Sequence, residues 1–291
     1  MRILLTGASG QLGQDIVTAF ERRRDEFQPG KKPDFLALSR DQLDVSSRDQ
    51  VFGVCYGYEP DVIIHPAAWT KVDECETNPD KAYAVNACGT NYLADAAKTL
   101  NAYMLYVSTD YVFDGYKSSP YIEWDTPNPL SVYGRSKLAG EHAAASVPFH
   151  AIVRTSWVAG HGGANMVKTV MKLLEERDNL QFVEDQIGSP TLTPDLADKI
   201  LEIVAARLTG IFHVTNSGST SWYGFAAEIA SLLGYGEGKI LPIKTADLFP
   251  PRPAPRPANS VLDNMALRTA GLGLLPDWRD SLSALVNRLK D

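Results

Sequence analysis

Short apolar runs separated by longer amphipathic stretches mark the first half of the chain. The runs at residues 3–5, 35–38, 62–64, 103–107 and 151–153 read as buried strands. Residues 12–24, 47–57, 80–100 and 131–145 carry apolar positions at helical spacing. Strand and helix in alternation predict an α/β fold: a doubly wound Rossmann parallel sheet covered on both faces, with ligands at the carboxyl ends of its strands. Past about residue 155 the alternation loosens, leaving helices over 166–177, 194–208, 222–233 and 278–289 and strands near 181–183 and 211–214. The pattern predicts an NAD(P)-binding domain over residues 1–155, with later segments returning to it. Residues 156–291 would form a smaller, mainly substrate-binding domain. The stretch PPRPAPRP at 250–257 fits neither helix nor central strand, because proline has no amide to donate, and is expected to be an ordered or closing loop.

Charge and cysteine content narrow the class. With 28 basic and 35 acidic residues the net charge is −7, which disfavours general binding to nucleic acid or to anionic membranes. No apolar run approaches the roughly 18 residues of a membrane span, and the opening residues lack a signal-peptide pattern. Cys55, Cys75 and Cys88 have no CxxC spacing and read as reduced thiols of a cytoplasmic protein. The histidines (65, 142, 150, 161 and 213) lack ligand spacing, so structural or surface roles are expected and no metal. No heptad or long exposed apolar helix declares an interface, which leaves a homodimer open.

The first strand runs into Gly7-Ala8-Ser9-Gly10-Gln11-Leu12-Gly13, a G-x-x-G-x-x-G turn that opens a helix. Gly7 suits the tight turn, Gly10 lets backbone approach a pyrophosphate, and Gly13 lets helix pack on strand. The helix N-terminus favours the phosphate charge. The second strand ends at Ser39 and Arg40 with no carboxylate before Asp41. An acidic residue there would hold the ribose hydroxyls of NAD, whereas Ser39 and Arg40 can bond a 2′-phosphate. NADPH is therefore expected as the cofactor, with NADH tolerated, although a surface arginine without a role fits Arg40 as well. Asp44 and Val45 sit where a loop can meet the adenine, and Ala67 and Ala68 are small enough for close cofactor approach.

Tyr133 and Lys137 lie four residues apart on one predicted helical face. A free tyrosine has a pKa of about 10, too high for easy proton exchange at neutral pH. A nearby ammonium, with the positive nicotinamide ring of an oxidised cofactor, favours the phenolate and is expected to lower it. Tyr-x-x-x-Lys recurs by chance on many helices, and its weight here comes from its distance from the glycine loop and from Ser108-Thr109-Asp110 at the end of the preceding strand. A hydroxyl there can bond the substrate oxygen. Asn86 can simply satisfy backbone groups, and Trp69, Trp124 and Trp222 can be core or rim packing.

Together with the glycine loop, Asn86, Ser108-Thr109-Asp110 and Tyr133/Lys137, five blocks carry a closer likeness: HPAAWTKVD at 65–73, STDYVFDG at 108–115, RTSW at 154–157, DQIGSPT at 185–191 and RPANSVLD at 256–263. In these the chain resembles the dTDP-4-dehydrorhamnose reductase family of extended short-chain dehydrogenase/reductases, over nearly its whole length. The resemblance implies reduction by NADPH of the C4 ketone of dTDP-4-dehydro-β-L-rhamnose to dTDP-L-rhamnose. It implies Thr109, Tyr133 and Lys137 as catalytic residues, and Gln11, Leu12, Thr70, Thr155 and Ser156 beside the cofactor with the loop residues above. Asp110, Tyr111 and Trp157 would line the sugar site. Arg252 and Arg256 are candidates for the nucleotide diphosphate, since arginine forks suit phosphate, and a solvated role is open for both. His65-Pro66 and Trp69 depart from the usual pattern. Two other readings stay open: a non-catalytic NADP-binding regulatory subunit, and a nucleotide-sugar epimerase or dehydratase. Tyr111 follows Asp110 where a dehydratase normally adds a glutamate.

Overall fold

The structure is a computed structural model that describes residues 1–27 and 34–290. Six strands form its central sheet: β1 (Arg2–Thr6), β2 (Asp34–Leu38), β3 (Val62–His65), β4 (Tyr103–Thr109), β5 (His150–Thr155) and a sixth, Gly210–His213. All neighbours pair in parallel in the order sixth strand, β5, β4, β3, β1, β2. The order reverses between β1 and β3, and a crevice opens there beyond the strand ends.

Alternation along each strand assigns the two faces. Ile3, Leu5, Ile64 and Leu105 pack beneath α1 (Gln11–Phe27), while Leu4, Ile63, Met104 and Ile152 point the other way, under α2 (Arg48–Tyr58) and later helices. Each of these aliphatic side chains is all but fully buried, a transfer that stabilises the fold by about 1.5–3 kcal/mol apiece.

The chain between β3 and β4 departs from the expectation of one helix over 80–100. It forms α3 (Val72–Thr77) and α4 (Pro79–Tyr83), then a π-helical turn over Ala84–Cys88, and then α5 (Gly89–Leu100). Wide turns of this kind often mark functional sites. Here the turn carries Asn86 inward, where its Oδ1 accepts from the Trp69 amide at 2.8 Å and its Nδ2 donates to the Trp69 carbonyl at 3.1 Å. A second bond from Nδ2 reaches Ser136 Oγ at 3.0 Å, on α6 (Val132–Ala145). Asn86 thus ties the loop after β3 to the helix that carries Tyr133 and Lys137.

Beyond β5 a further core gathers under α7 (Met166–Glu176), α9 (Trp222–Leu232) and the last helix, Trp278–Lys290. Strands Leu180–Val183 and Ile240–Ile243 pair in parallel beside it. The second of these, interrupted by Pro242, was not anticipated, and several two-residue strands are too short for periodicity to reveal. The helix between α7 and α9, α8 (Thr193–Ala205), returns to the central sheet through Leu196, Ile200 and Leu201, in the same core as α1.

Candidate active site

One cavity of about 530 Å³ runs along the carboxyl ends of the sheet. At its nucleotide end, Gly7 takes a left-handed φ of 63° and its carbonyl accepts from the Gly10 amide at 3.0 Å. A Cβ on Gly13 would stand 2.2 Å from the Gly7 oxygen and 2.8 Å from Ala8 Cα, so only glycine lets α1 start this close to β1. The amides at the head of the helix therefore face a concave turn open to the cavity, a cradle that fits a pyrophosphate. Gln11, Leu12, Arg40, Asp44, Val45, Ala67, Ala68 and Thr70 also line the cavity. Gln11 is already engaged, its Oε1 accepting from the Gly160 amide and Asn165 Nδ2. The Asp44 carboxylate accepts from Ser46, which holds its pKa below the ordinary value. Ser39 stands outside the lining residues, with its amide and hydroxyl both bound to Gln42 Oε1.

Beneath this end, His65 is fully buried between Thr6 Oγ1 at 2.8 Å and Thr90 Oγ1 at 3.2 Å. Burial, reinforced by the nearby Lys137 charge, lowers its pKa to about 3, so the ring is a neutral bridge.

In the middle of the cavity, β4 and α6 bring Thr109, Tyr133 and Lys137 together. α6 starts in a fixed place because Ser131 Oγ accepts from the Gly134 amide at 3.1 Å and Glu76 Oε1 accepts from the Val132 amide at 2.6 Å. Tyr133 is buried and stands edge-on to Tyr111, ring centroids 5.5 Å apart. In the protein alone Lys137 does not lower its pKa. Burial pushes the phenol above its ordinary value, and the adjacent Thr109 hydroxyl pulls it only part of the way back. Lys137 instead aims its ammonium at the Val107 carbonyl, 2.7 Å away, and lies 4.1 Å above the Tyr106 ring. Burial brings the Lys137 pKa down to about 7, against the opposing pull of Glu141.

Two buried oxygens here have no hydrogen-bond partner: Asp110 Oδ2 and Thr155 Oγ1. Both residues line the cavity. An orphaned buried acceptor or hydroxyl costs stability unless something completes it; the Ser260 hydroxyl lies close enough to Asp110 to favour its charged form, which leaves the Thr155 hydroxyl as the freer of the two. Burial raises the Asp110 carboxyl to about 6, while the Ser260 hydroxyl and then Thr109, bonded to its Oδ1 at 3.0 Å, restrain the rise. The hydroxyl of Ser108 is taken by Glu141, so Thr109 is the one that faces Tyr133. Ser156, also on the lining, bonds the Ser189 carbonyl.

The far end is aromatic. Trp157 stacks on Trp222 with centroids 3.6 Å apart and planes 8° from parallel. Its backbone φ is 47°, a left-handed conformation that a bulky residue adopts only when its surroundings insist. Gly188 helps to insist: a Cβ there would stand 2.5 Å from the indole Cε2. Arg252 and Arg256 are not among the lining residues. Arg256 makes a two-pronged pair with Asp73, 2.7 Å on each prong, and Asp73 also accepts from the Ala254 amide at 3.1 Å. The proline-rich loop is thereby fastened to α3, and the Asp73 carboxyl is held below its ordinary pKa. Arg252 is exposed, yet both guanidinium charges act on Tyr111, countering the burial that raises its phenol to about 12. Both therefore lie near Tyr111 and outside the cavity lining.

With this geometry in view, comparison with known proteins is decisive. The model of the family described as RmlD substrate binding domain matches residues 1–291. The chain belongs to that family. It is 40% identical to the dTDP-4-dehydrorhamnose reductase of Aggregatibacter actinomycetemcomitans, over 97% of each chain. Among solved structures, the dTDP-4-dehydrorhamnose reductase of Clostridium acetobutylicum superposes with a TM-score of 0.93 at 40% identity, covering all of both chains. That of Bacillus anthracis, solved in complex with NADP, gives 0.90 at 37% identity over 99% of each.

The cavity lining also includes residues that the sequence did not single out as functional. Trp222 was legible only as packing, and Lys81, which lies 4.5 Å over the Trp69 ring, had no signal at all. Both reach the cavity from elements whose placement depends on the fold. Among the described residues, no group of three or more His, Cys, Asp or Glu is arranged to hold a metal ion, and no helix is long and apolar enough to cross a membrane.

Proposed function

We propose that this chain reduces the C4 ketone of dTDP-4-dehydro-β-L-rhamnose with NADPH, yielding dTDP-L-rhamnose. The observation that carries the reading is the convergence of Thr109, Tyr133 and Lys137 in the same cavity as the glycine cradle, in a chain of this family. When bound, the reduced nicotinamide supplies the hydride. The protein's own residues manage the proton. Tyr133 stays a neutral phenol because burial disfavours its charge. It releases its proton as negative charge develops on the C4 oxygen, which Thr109 helps to hold. Lys137 then offsets the phenolate that remains. Asp110, Tyr111 and the Trp157–Trp222 stack shape the sugar end, with Arg252 and Arg256 near Tyr111 for the diphosphate. Gly7, Gly10, Gln11, Leu12, Gly13, Arg40, Asp44, Val45, Ala67, Ala68, Thr70, Thr155 and Ser156 are assigned to the cofactor, while Ser39, held by Gln42 outside the cavity, is not.

Residues 1–155 serve mainly the cofactor and 156–291 mainly the sugar, in a cytoplasmic enzyme with no nucleic-acid or membrane partner. NADPH absorbance followed with freshly made dTDP-4-keto-6-deoxy-L-hexose tests the assignment. Stoichiometric oxidation is expected, falling by roughly 10²–10⁴ in Tyr133→Phe. Tight NADPH binding without oxidation would instead identify a regulatory binding subunit or a different sugar nucleotide. Cofactor returned unconsumed after conversion would indicate an epimerase or dehydratase.

A further inference from the structure

One turn beyond Lys137 on α6, Glu141 is 3% exposed and carries three charge-assisted bonds. Its Oε1 accepts from Ser108 Oγ at 2.6 Å and Arg154 Nε at 2.9 Å, and its Oε2 from Arg154 Nη2 at 2.7 Å. Ser108 and Arg154 are register partners on β4 and β5, and the next pair along is Thr109 with Thr155. The carboxylate therefore clamps helix, β4 and β5 one row behind the reacting row. A buried ion pair of this kind adds little to stability compared with apolar residues of the same volume, so its place beside the site calls for another reason.

The groups that face Lys137 supply one. From β3 comes His65, neutral; from β4 come the Tyr106 ring and the Val107 carbonyl; on α6 itself stand Tyr133 and Glu141; from β5, Arg154 lies behind Glu141. Among the described residues, Glu141 is the one carboxylate that favours the charged form of Lys137.

We infer that Glu141 is a positioning residue for the proton transfer: its bonds to Ser108 and Arg154 hold the strand ends that present Thr109 and Thr155, and they fix its carboxylate one helical turn from Lys137. The inference rests on Lys137 serving the cofactor and Tyr133 as described above.

The test compares wild type, Glu141→Asp, Glu141→Gln and the double variant Glu141→Gln/Arg154→Met, which removes both charges of the pair at once. NADPH affinity is measured by fluorescence titration without sugar nucleotide, from about pH 5.5 to about pH 9.5, with a thermal melt of each protein. In the wild type, affinity weakens as pH rises and Lys137 loses its proton. In Glu141→Gln, which removes the carboxylate charge and keeps an acceptor for Ser108, that weakening begins at lower pH, Glu141→Asp stays near the wild-type position, and the double variant, which removes opposite charges together, shifts less than Glu141→Gln. A Glu141→Gln profile superimposable on the wild type in a folded protein, or an equal displacement in Glu141→Asp, overturns the inference and leaves the pair as packing. Intact pH-dependent NADPH binding without turnover of dTDP-4-keto-6-deoxy-L-hexose sinks the sugar assignment and leaves the role of Glu141 standing. Failure of the wild type to bind NADPH removes both.

Discussion

Gly13 at the nucleotide end makes room for the backbone of Gly7 and Ala8 in its own turn, whereas Gly188 at the sugar end makes room for the indole of Trp157 on a different element. Each glycine clears space that a methyl group would fill. The first obeys a spacing rule written within a few residues, because strand, turn and helix are consecutive. The second obeys no local rule, since its partner arrives through the fold. The same contrast runs along the cavity. The cradle is made by one segment, while Trp157 with Trp222 and Arg256 with Asp73 are pairs that the chain brings together from far apart. The nucleotide end is thus a rigid local motif, and the sugar end is an assembly that can change piece by piece.

Gly13→Ala should produce the largest effect that separates the two ends. The obstructing atoms are backbone, so the loop must move, at a cost of about 1–3 kcal/mol. The melting temperature should drop and NADPH affinity should be largely lost. A variant that binds NADPH normally would break the comparison at its strongest point.

Acid sharpens it next, because buried groups at the two ends respond with opposite signs. His65 has its pKa lowered to about 3. Its stabilising contribution is complete above the unfolded histidine value and is lost as pH falls below it. Asp110 is raised to about 6 from the ordinary aspartate value of 3.8. Its native form takes up a proton before the unfolded chain does, so acidification between those two values stabilises the fold. Asp110→Asn should therefore steepen the loss of stability between pH 6 and pH 4 by about 1.4 kcal/mol per unit. Denaturant melts across that window measure the slope, and an unchanged slope would mean that Asp110 is not held protonated.

Gly188→Ala should raise KM for the sugar nucleotide about tenfold, by displacing Trp157 from its stack. NADPH affinity should fall less, because Gly188 reaches the cofactor residues only through Ser156 and its bond to the Ser189 carbonyl. Equal losses for both ligands would show the ends to be coupled. The smallest expected change is in cofactor choice. Arg40 is exposed at the rim of the cavity, so Arg40→Asp should move the NADPH-to-NADH preference by about fivefold toward NADH, in keeping with the modest worth of screened surface charges. An unaltered ratio would remove Arg40 from the 2′-phosphate site.

Much of this molecule was legible beforehand for a common reason. The runs at 3–5, 62–64 and 103–107 became β1, β3 and β4 because apolar strands covered on both faces must be continuously hydrophobic. The glycine turn and the Tyr133/Lys137 spacing were legible because their geometry is contained in a single turn of chain. What the sequence by itself determined was therefore local: the period of each element, the cradle, and the face shared by the tyrosine and the lysine.

Tertiary structure decided the rest, wherever an outcome depends on partners far away along the chain. It broke the helix over 80–100 with a π turn, so that Asn86 can bridge Trp69 and Ser136. It sent the Ser108 hydroxyl to Glu141, leaving Thr109 to face Tyr133. It gave Arg256 to Asp73, and it buried the phenol that a neighbouring lysine was expected to acidify. Periodicity records which face of an element is apolar. Desolvation and hydrogen-bond partners depend on what the opposite face meets, and that is settled only when the elements pack.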